Sequence, residues 1–205
     1  MKVLYLSLVV FLVSAVPSFA PADEIGPTEQ LRPTIDEVID ILVDDSLKGT
    51  ENKEERRRRI MAVVSVGFDF REMSRRVLGA TWHDISTDQQ DYFVTQMTTL
   101  LENVYVGKLE TYSGQTVDFV AERVKGKRAQ VTTVVEHQGQ DLPIHYIMQK
   151  EQDRWMVYDI NIEGVSLIRN YMEQFRSILR QERFEGLLKI IEEKNQSFAD
   201  NDEPS

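Results

Sequence analysis

The first part of the chain carries apolar residues at helical spacing. They recur every three or four positions after Thr34-x-x-Glu37, and again in the segments that begin at Glu54 and at Phe68. Such spacing places apolar side chains on one face of a helix. Thr34 and Glu37 match a capping box, and Asp69 is in position to be an N-cap. The pattern predicts three helices, the third over Phe68–Leu78.

A longer helix is predicted next. Thr87-x-x-Gln90 is a second capping box, and the apolar stripe that follows runs to about Tyr112. Gly107 lies inside this helix, where a glycine kinks a helix or permits a close approach. The polar segment Asp23–Pro33, before the first helix, is interpreted as a loose arm.

The hydrophobic period then changes from 3.6 to 2. Apolar and polar residues alternate over Val117–Val124, Ala129–Val135, Leu142–Met148 and Trp155–Ile162, with short turns between them. Alternation of this kind indicates strands, and short turns between consecutive strands indicate an antiparallel meander. The alternation does not reveal which set of residues on each strand faces inward.

The last predicted strand turns directly into a helix. Gly164 ends the strand, Ser166 is a plausible N-cap, and the helical pattern resumes over Leu167–Leu179. A final helix is predicted over Glu182–Lys194. Gly164 is interpreted as a tight turn or, alternatively, as a hinge.

Helices followed by a group of strands are typical of the α+β class. We therefore predict a four-stranded antiparallel sheet packed against several helices. The predicted organisation is a leader over residues 1–22, one domain over residues 23–194 and a disordered tail over residues 195–205.

Composition narrows the function classes. The chain has 205 residues, 24 basic and 34 acidic, with a net charge of −10 and no cysteine. An acidic chain is a poor match for nucleic acid, which needs a basic surface. Without cysteine, disulfides, zinc–thiolate sites and thiol nucleophiles are excluded.

The N-terminus resembles a signal peptide. Lys2 precedes the apolar run Val3–Val16, and Ala20-Pro21-Ala22 fits a cleavage site. Cleavage after Ala22, or alternatively after Ala20, predicts an exported protein. An uncleaved N-terminal anchor is the other interpretation.

Candidate catalytic residues are few. The chain has no His-Glu-x-x-His, no Gly-x-Ser-x-Gly and no phosphate-binding glycine loop. His137 and His145 lie on adjacent predicted strands without a third ligand, so no metal site is predicted. Asp159 is either a general base or, as the favoured interpretation, a structural acceptor of backbone amides. The run Arg56–Arg59 is either a solvated face or a contact for anionic headgroups.

The stretch Trp155–Phe175 carries a family resemblance. Its pattern, W-x-V-Y-D-I-x-I-E-G-V-S-L-I-x-N-Y-x-x-Q-F, resembles the signature of the MlaC-type periplasmic phospholipid-binding proteins, also called toluene-tolerance auxiliary proteins of ABC transporters. Phe68-Asp69-Phe70 and Val77-Leu78-Gly79 agree with it, and the likeness extends over about Thr34–Ile191. Met172 departs from the family pattern, which has arginine after the tyrosine.

The resemblance implies a twisted sheet wrapped against helices around an apolar cavity. It implies a non-enzymatic periplasmic carrier that moves phospholipid between an outer-membrane lipoprotein and an inner-membrane ABC transporter, and so maintains outer-membrane lipid asymmetry. No cofactor is implied. Two alternatives remain: a carrier of a hopanoid or other polycyclic lipid, and an enzyme on a similar cone-shaped scaffold that uses Asp159.

Candidate lipid contacts follow from the resemblance together with the apolar stripes. They are aromatic, aliphatic or hydroxyl-bearing residues on the long helix, the strands and the signature helix: Leu101, Tyr105, Val131, Thr133, Tyr146, Tyr158, Ile160 and Ile168. Tyr171 shares with three of these tyrosines an apolar ring and a polar tip, which suits a cavity mouth.

Overall fold

The computed structural model describes residues 25–109, 112, 114–137 and 139–202, and within them it contains five α-helices and one five-stranded sheet. The helices are α1 (Pro27–Val43), α2 (Lys53–Gly67), α3 (Phe70–Leu78), α4 (Thr87–Leu109) and α5 (Leu167–Asp202). The strands are β1 (Val117–Lys125), β2 (Arg128–His137), β3 (Gln140–Glu151), β4 (Arg154–Ile162) and β5 (Val165–Ser166). The predicted signal peptide, residues 1–22, lies outside the described residues.

The sheet is an antiparallel meander in the order β1-β2-β3-β4-β5. The predicted α+β class and antiparallel sheet are therefore confirmed, with one short strand more than expected. β5 pairs with the end of β4 through a two-residue turn, in which Glu163 and Gly164 have φ values of 52° and 83°. Positive φ at both central residues is the backbone of the tightest hairpins.

One face of the sheet carries the main hydrophobic core. Residues from the sheet and from four helices share one cluster, which includes Leu31, Met73, Met97, Leu101, Val131, Tyr146, Met148, Val157, Tyr171 and Phe175. The helices α1, α3, α4 and α5 thus cover the inward face. The rings of Phe93 on α4 and Phe184 on α5 lie 5.9 Å apart between centroids and join these two helices.

The start of α1 differs from the prediction. The helix begins at Pro27, since proline is well suited to a first helical position, where no N–H is needed. The N–H of Gly26 donates to Glu29 at 3.3 Å, and the N–H of Thr28 donates to Glu122 of β1 at 2.8 Å. The expected loose arm is therefore wrong from Pro27 onward. Thr34 is a buried residue inside the helix rather than its cap.

The helices α1 and α2 approach closely at Gly67. A Cβ at this position would lie 2.9 Å from Thr34 Oγ1. A second, smaller core cluster extends this contact to α4, with Val38, Leu42, Ile60 and Val106 as its buried members. Gly67 therefore allows α1 to pack on α2.

The N-cap of α4 lies one residue before Thr87, the predicted first residue of its capping box. Ser86 is the cap: its N–H donates to Gln89 Oε1 at 2.9 Å, and its Oγ accepts from the Gln89 N–H at 3.2 Å. By contrast, the predicted cap of α3 is confirmed, because Asp69 Oδ1 accepts from the Glu72 N–H at 2.8 Å.

The helix α5 is broken at Arg183, where φ is 61° and ψ is −165°. The break separates two helical stretches, as the sequence predicted. The second stretch continues to Asp202, so the predicted disordered tail is wrong over its helical part. Asn195 is buried there and donates to the carbonyl of Gln96 at 3.0 Å, which fastens this stretch to α4.

Among the described residues, no helix combines the length and the apolar character needed to cross a bilayer.

Candidate functional site

Three of the predicted contacts form one row across the sheet. Val131 of β2 pairs with Tyr146 of β3, which pairs with Ile160 of β4. Residues directly opposite each other share a face and have neighbouring side chains. Val131 is fully buried, Tyr146 is 6% exposed and Ile160 packs on the same core cluster. The structure therefore brings these three predicted residues together on the inward face.

The next row continues this surface toward the β2–β3 hairpin. Thr133 pairs with Phe119 on one side and with Ile144 on the other, and Ile144 pairs with Ile162. Thr133 is fully buried, whereas Phe119, Ile144 and Ile162 are only partly covered. The apolar face is thus less well covered at this end of the sheet.

A β-bulge separates Tyr158 from the row. The register passes from Ile147 opposite Asp159 to Met148 opposite Val157, which leaves Tyr158 unpaired. The extra residue interrupts the alternation between Tyr158 and Ile160, so the pairing that places Ile160 on the inward face does not extend to Tyr158. Tyr158 lies instead beneath the guanidinium of Arg76, 3.8 Å from its ring centroid.

A second bulge has the same effect on β1. Phe119 pairs with Thr133, but Ala121 pairs with Thr132, so Val120 is the extra residue. The predicted alternation of Phe119 and Ala121 onto one face is wrong for the same reason. Val120 is 56% exposed.

Two helices face these rows. Leu101 and Tyr105 are four residues apart on α4 and share a side of that helix; Leu101 is buried, and Tyr105 packs partly buried on the core. Ile168 and Tyr171 lie in the first turns of α5, both 6% exposed. All four belong to the same core cluster as Val131, Tyr146 and Ile160, so six of the eight predicted contacts are in one cluster, and Thr133 is buried on the same face of the sheet.

The junction between β4 and α5 is held by Asp159. Its two carboxylate oxygens accept from Ser166 Oγ at 2.6 Å and from the Ile168 N–H at 3.0 Å. Ser166 Oγ in turn accepts from the Arg169 N–H at 3.0 Å, which confirms it as the N-cap of α5. The favoured structural interpretation of Asp159 is thus confirmed, because both oxygens serve this junction.

The tyrosines of the site are neutral hydrogen-bonding groups. Burial raises the pKa of Tyr146, and the neighbouring Thr133 hydroxyl opposes that rise. Burial also raises the pKa of Tyr105 and of Tyr171, and the proximity of Tyr105 adds to the rise at Tyr171. A raised pKa keeps the phenol protonated at neutral pH, so each ring offers an O–H donor within an apolar surface.

The arginine run has mainly structural contacts. Arg56 donates to the carbonyl of Gly49 at 3.3 Å, and Arg58 and Arg59 both bind Glu55 at 2.7 Å. Arg57 is buried, with its Nη2 atom 3.6 Å from the position of a Cβ on Gly107. Arg57 of α2 therefore lies beside Gly107 at an ordinary van der Waals distance.

A second charged cluster lies on α3. Glu72 is buried and binds Arg75 and Arg76 at 2.6 and 2.7 Å. Burial by itself would raise the pKa of Glu72, but the hydrogen bonds and charges of the two arginines outweigh burial and lower it. The cluster orients Arg76 over Tyr158 at the edge of the sheet.

A groove of about 390 Å³ lies elsewhere, between α4 and the second stretch of α5. It is lined by Tyr92, Gln96, Thr99, Glu192, Asn195, Gln196 and Ala199, and by none of the predicted lipid contacts. Its lining is largely polar. The eight predicted residues line no part of it and are instead packed in the interior or beneath Arg76.

In the part of the chain that the structure describes, no three His, Asp or Glu side chains come together to form a metal site. His145 Nδ1 lies 3.0 Å from Thr132 Oγ1 on the outward face of the sheet. The side chain of His137 lies outside the described part of the structure. The predicted proximity of His137 and His145 therefore lies outside it as well.

Two residues of this surface were not among the predicted contacts. Ile144 and Phe119 belong to the same core cluster as those contacts. The alternation on β3 already grouped Ile144 with Tyr146. Phe119 needed the position of the bulge, which alternation alone does not reveal.

Two comparisons with known proteins bear on this fold. The chain is similar to a phospholipid-binding protein from Ralstonia solanacearum, whose structure was solved in complex with a phospholipid. The match has a TM-score of 0.75 and 24% sequence identity, and it covers 87% of this chain and 99% of the other. At this identity the likeness establishes the fold. The family model described as MlaC protein matches residues 32–193, most of the chain, and on that evidence the chain belongs to the MlaC family.

Proposed function

We propose that this protein binds a phospholipid between its sheet and its helices and carries it between membranes. The observation that supports this most directly is the row Val131–Tyr146–Ile160, which lies with Leu101 and Ile168 in one apolar cluster. The solved relative from Ralstonia solanacearum, of the same fold, holds a phospholipid. An apolar interior faced by two helices suits acyl chains.

A carrier is needed for a physical reason. Burying one methylene group contributes a transfer free energy of about 0.8 kcal/mol. Burying two 16-carbon chains therefore contributes roughly 25 kcal/mol. Spontaneous passage of such a lipid through water is therefore extremely slow. A carrier replaces water by an apolar lining and needs no covalent step.

Uptake requires α4 or α5 to move relative to the sheet, because Val131 and Thr133 are fully buried. The partly covered row of Phe119, Ile144 and Ile162 marks the end of the sheet where opening exposes the least additional surface. We infer that acyl chains enter there.

The cellular setting is part of the same proposal. A cleaved leader with a mature N-terminus at Asp23 would deliver the protein to the periplasm. There it would take lipid from an outer-membrane lipoprotein and deliver it to an inner-membrane ABC transporter, or the reverse. N-terminal sequencing of periplasmic protein tests this, and intact Met1 recovered in the membrane fraction would contradict it.

Native mass spectrometry of the purified exported protein, followed by organic extraction, tests lipid binding. We expect a bound mass that extraction releases as a diacyl phospholipid. A released polycyclic lipid would favour the hopanoid alternative. The enzyme alternative finds no support at Asp159, since its carboxylate is engaged by Ser166 and Ile168.

A pair of variants locates the site. Ile160→Trp adds bulk to the inward face without adding a charge and should lower lipid occupancy several-fold. Val120→Trp introduces the same side chain at an exposed position and should leave occupancy unchanged. Equal occupancy in both variants would place the lipid elsewhere.

A further inference from the structure

The turn between β1 and β2 carries a dense run of cations, although the chain as a whole has a net charge of −10. Residues 123–128, here called the basic hairpin, contain no carboxylate and four cations: Arg123, Lys125, Lys127 and Arg128. All of these residues are exposed. Gly126, with a φ of 60°, takes the first central position of the two-residue turn, which suits glycine. The tight turn therefore holds the four cations on a projecting tip.

The cations of the basic hairpin have no anion of their own. Among the described residues, none of their side chains takes part in an ion pair or a hydrogen bond. Across the sheet, Arg123 faces Gln130. Arg128 faces Gln149, so both arginines have a neutral amide as neighbour. The carboxylate of Glu122, next in sequence, accepts from the backbone of α1 at 2.8 Å. The positive charge of the tip is therefore uncompensated.

The pair that closes the basic hairpin is unfavourable for the fold. Lys125 lies directly opposite Arg128, and like charges at directly opposite positions destabilise a sheet. The hairpin between β3 and β4 is closed by Glu151 opposite Arg154, which is a complementary pair. The basic hairpin thus lacks a stabilising contact that the neighbouring hairpin has. Sequences break such local rules mainly at functional sites.

The chemistry of the tip matches the surface of an anionic bilayer. Val124 lies between two of the cations and is 49% exposed, so the tip combines positive charge with an apolar side chain. Lysine and arginine are attracted to anionic headgroups, and each strengthens membrane binding about fivefold. The guanidinium of arginine also binds two phosphate oxygens at once. An exposed apolar side chain adds affinity by entering the boundary between headgroups and acyl chains.

We propose that the basic hairpin docks the protein on a membrane surface that carries anionic phospholipid headgroups, with Val124 at the boundary. The hairpin lies at one end of β2, whose 10 residues span about 30 Å. The β2–β3 turn lies at the other end, beside the partly covered row of the sheet. Docking therefore holds the protein by the end remote from that row. It does not depend on a lipid in the interior, so it is separate from the proposed function.

The test is co-sedimentation of the exported protein with vesicles. One set contains phosphatidylglycerol and phosphatidylcholine in equal amounts, and the other contains phosphatidylcholine alone. We expect the wild-type protein to sediment with the anionic vesicles and to stay in the supernatant of the neutral ones. Binding should fall steeply as salt is added, because salt screens exposed charges.

Paired charge reversals locate the surface. Lys125→Glu with Lys127→Glu should lower the bound-to-free ratio on anionic vesicles by more than about tenfold, since each lost cation alone accounts for about fivefold. Arg176→Glu with Arg180→Glu makes the same change in net charge on the exposed side of α5 and should retain most of the binding. Lys125→Arg with Lys127→Arg keeps the charge and should retain all of it.

The stability of one single variant separates docking from a structural role. Lys125→Glu places a carboxylate opposite Arg128, so it replaces a like-charged pair by a complementary one. We expect an unchanged or higher urea midpoint together with weaker vesicle binding. A residue needed only for the fold would lose stability on substitution. If the double variant does not fold, Lys127→Glu, in the turn and outside this pair, gives the readout.

Three results would overturn the docking surface. The first is a wild-type protein that ignores anionic vesicles at low salt, which would favour an acidic protein surface as the partner. The second is equal binding to neutral vesicles. The third is equal loss in the two charge-reversed double variants. Lipid occupancy, measured by native mass spectrometry, should be the same in all variants, so failure of docking leaves lipid carriage standing.

Discussion

Asp159 accepts a hydrogen bond from the hydroxyl of Ser166 at 2.6 Å, across the two-residue turn that joins β4 to β5. Its other oxygen accepts from the backbone of Ile168, in the first turn of α5. One carboxylate therefore fixes the direction in which α5 leaves the sheet. That direction places Ile168 and Tyr171 in the interior.

Asp159→Ala should destabilise the protein by about 1–3 kcal/mol, because the Ile168 N–H and the Ser166 hydroxyl both lose their acceptor. Urea unfolding measures the change in the free energy of unfolding. Glu173→Ala is the control, since Glu173 is an exposed carboxylate on the same helix, and it should change stability by less than about 0.5 kcal/mol. Equal effects of the two variants would contradict the structural role.

Gly164→Val should lower stability by more than about 1 kcal/mol, because a β-branched residue is strained at φ 83°. Nothing lies within 4 Å of a Cβ at this position, so the cost comes from the backbone rather than from a clash. Gly164→Asn should lose less, since asparagine tolerates positive φ. Thermal unfolding compares the two. Unchanged stability with slower lipid transfer would instead favour a hinge.

Gly67→Ala should destabilise the contact between α1 and α2 by about 1–3 kcal/mol, because its Cβ would lie 2.9 Å from Thr34 Oγ1. Thr34→Ala removes that atom, so the double variant should recover part of the loss. A double-mutant cycle from urea unfolding measures the coupling, and a coupling energy near zero would show that the two helices do not meet at these residues.

Glu72→Gln should reduce stability at neutral pH and have little effect in acid. The lowered pKa of Glu72 means that its ion pairs stabilise the folded state above the ordinary glutamate value of 4.5 and that this contribution disappears as pH falls further. The difference in unfolding free energy between wild type and Glu72→Gln should therefore be largest near pH 7 and narrow below about pH 4.5.

Glu55→Gln is the matched control for this titration. Glu55 also binds two arginines, Arg58 and Arg59, but on an exposed surface of α2, where ion pairs contribute little. Its substitution should change stability little at any pH. A pH-independent deficit in Glu72→Gln would show that packing, and not charge, is what the substitution removes.

The sequence by itself determined the class of the fold, the order of its elements and the caps at Asp69 and Ser166. These depend on hydrophobic period and on side chains that bond neighbouring amides, which are local properties. Periodic stripes, together with the family resemblance, also selected Leu101, Tyr105, Val131, Tyr146 and Ile168 as lipid contacts. The structure places these five residues in one apolar cluster, and their contact with lipid stays a prediction.

Tertiary structure alone decided which residues of β1 and β4 face inward. The bulges at Val120 and Tyr158 insert one residue each, and a one-residue shift transfers every later side chain to the other face. Likewise, Thr34 matched a cap in sequence but is buried against Gly67, because a proline earlier in the chain already begins the helix. Pairing partners distant in sequence determine these features, and no local pattern encodes them.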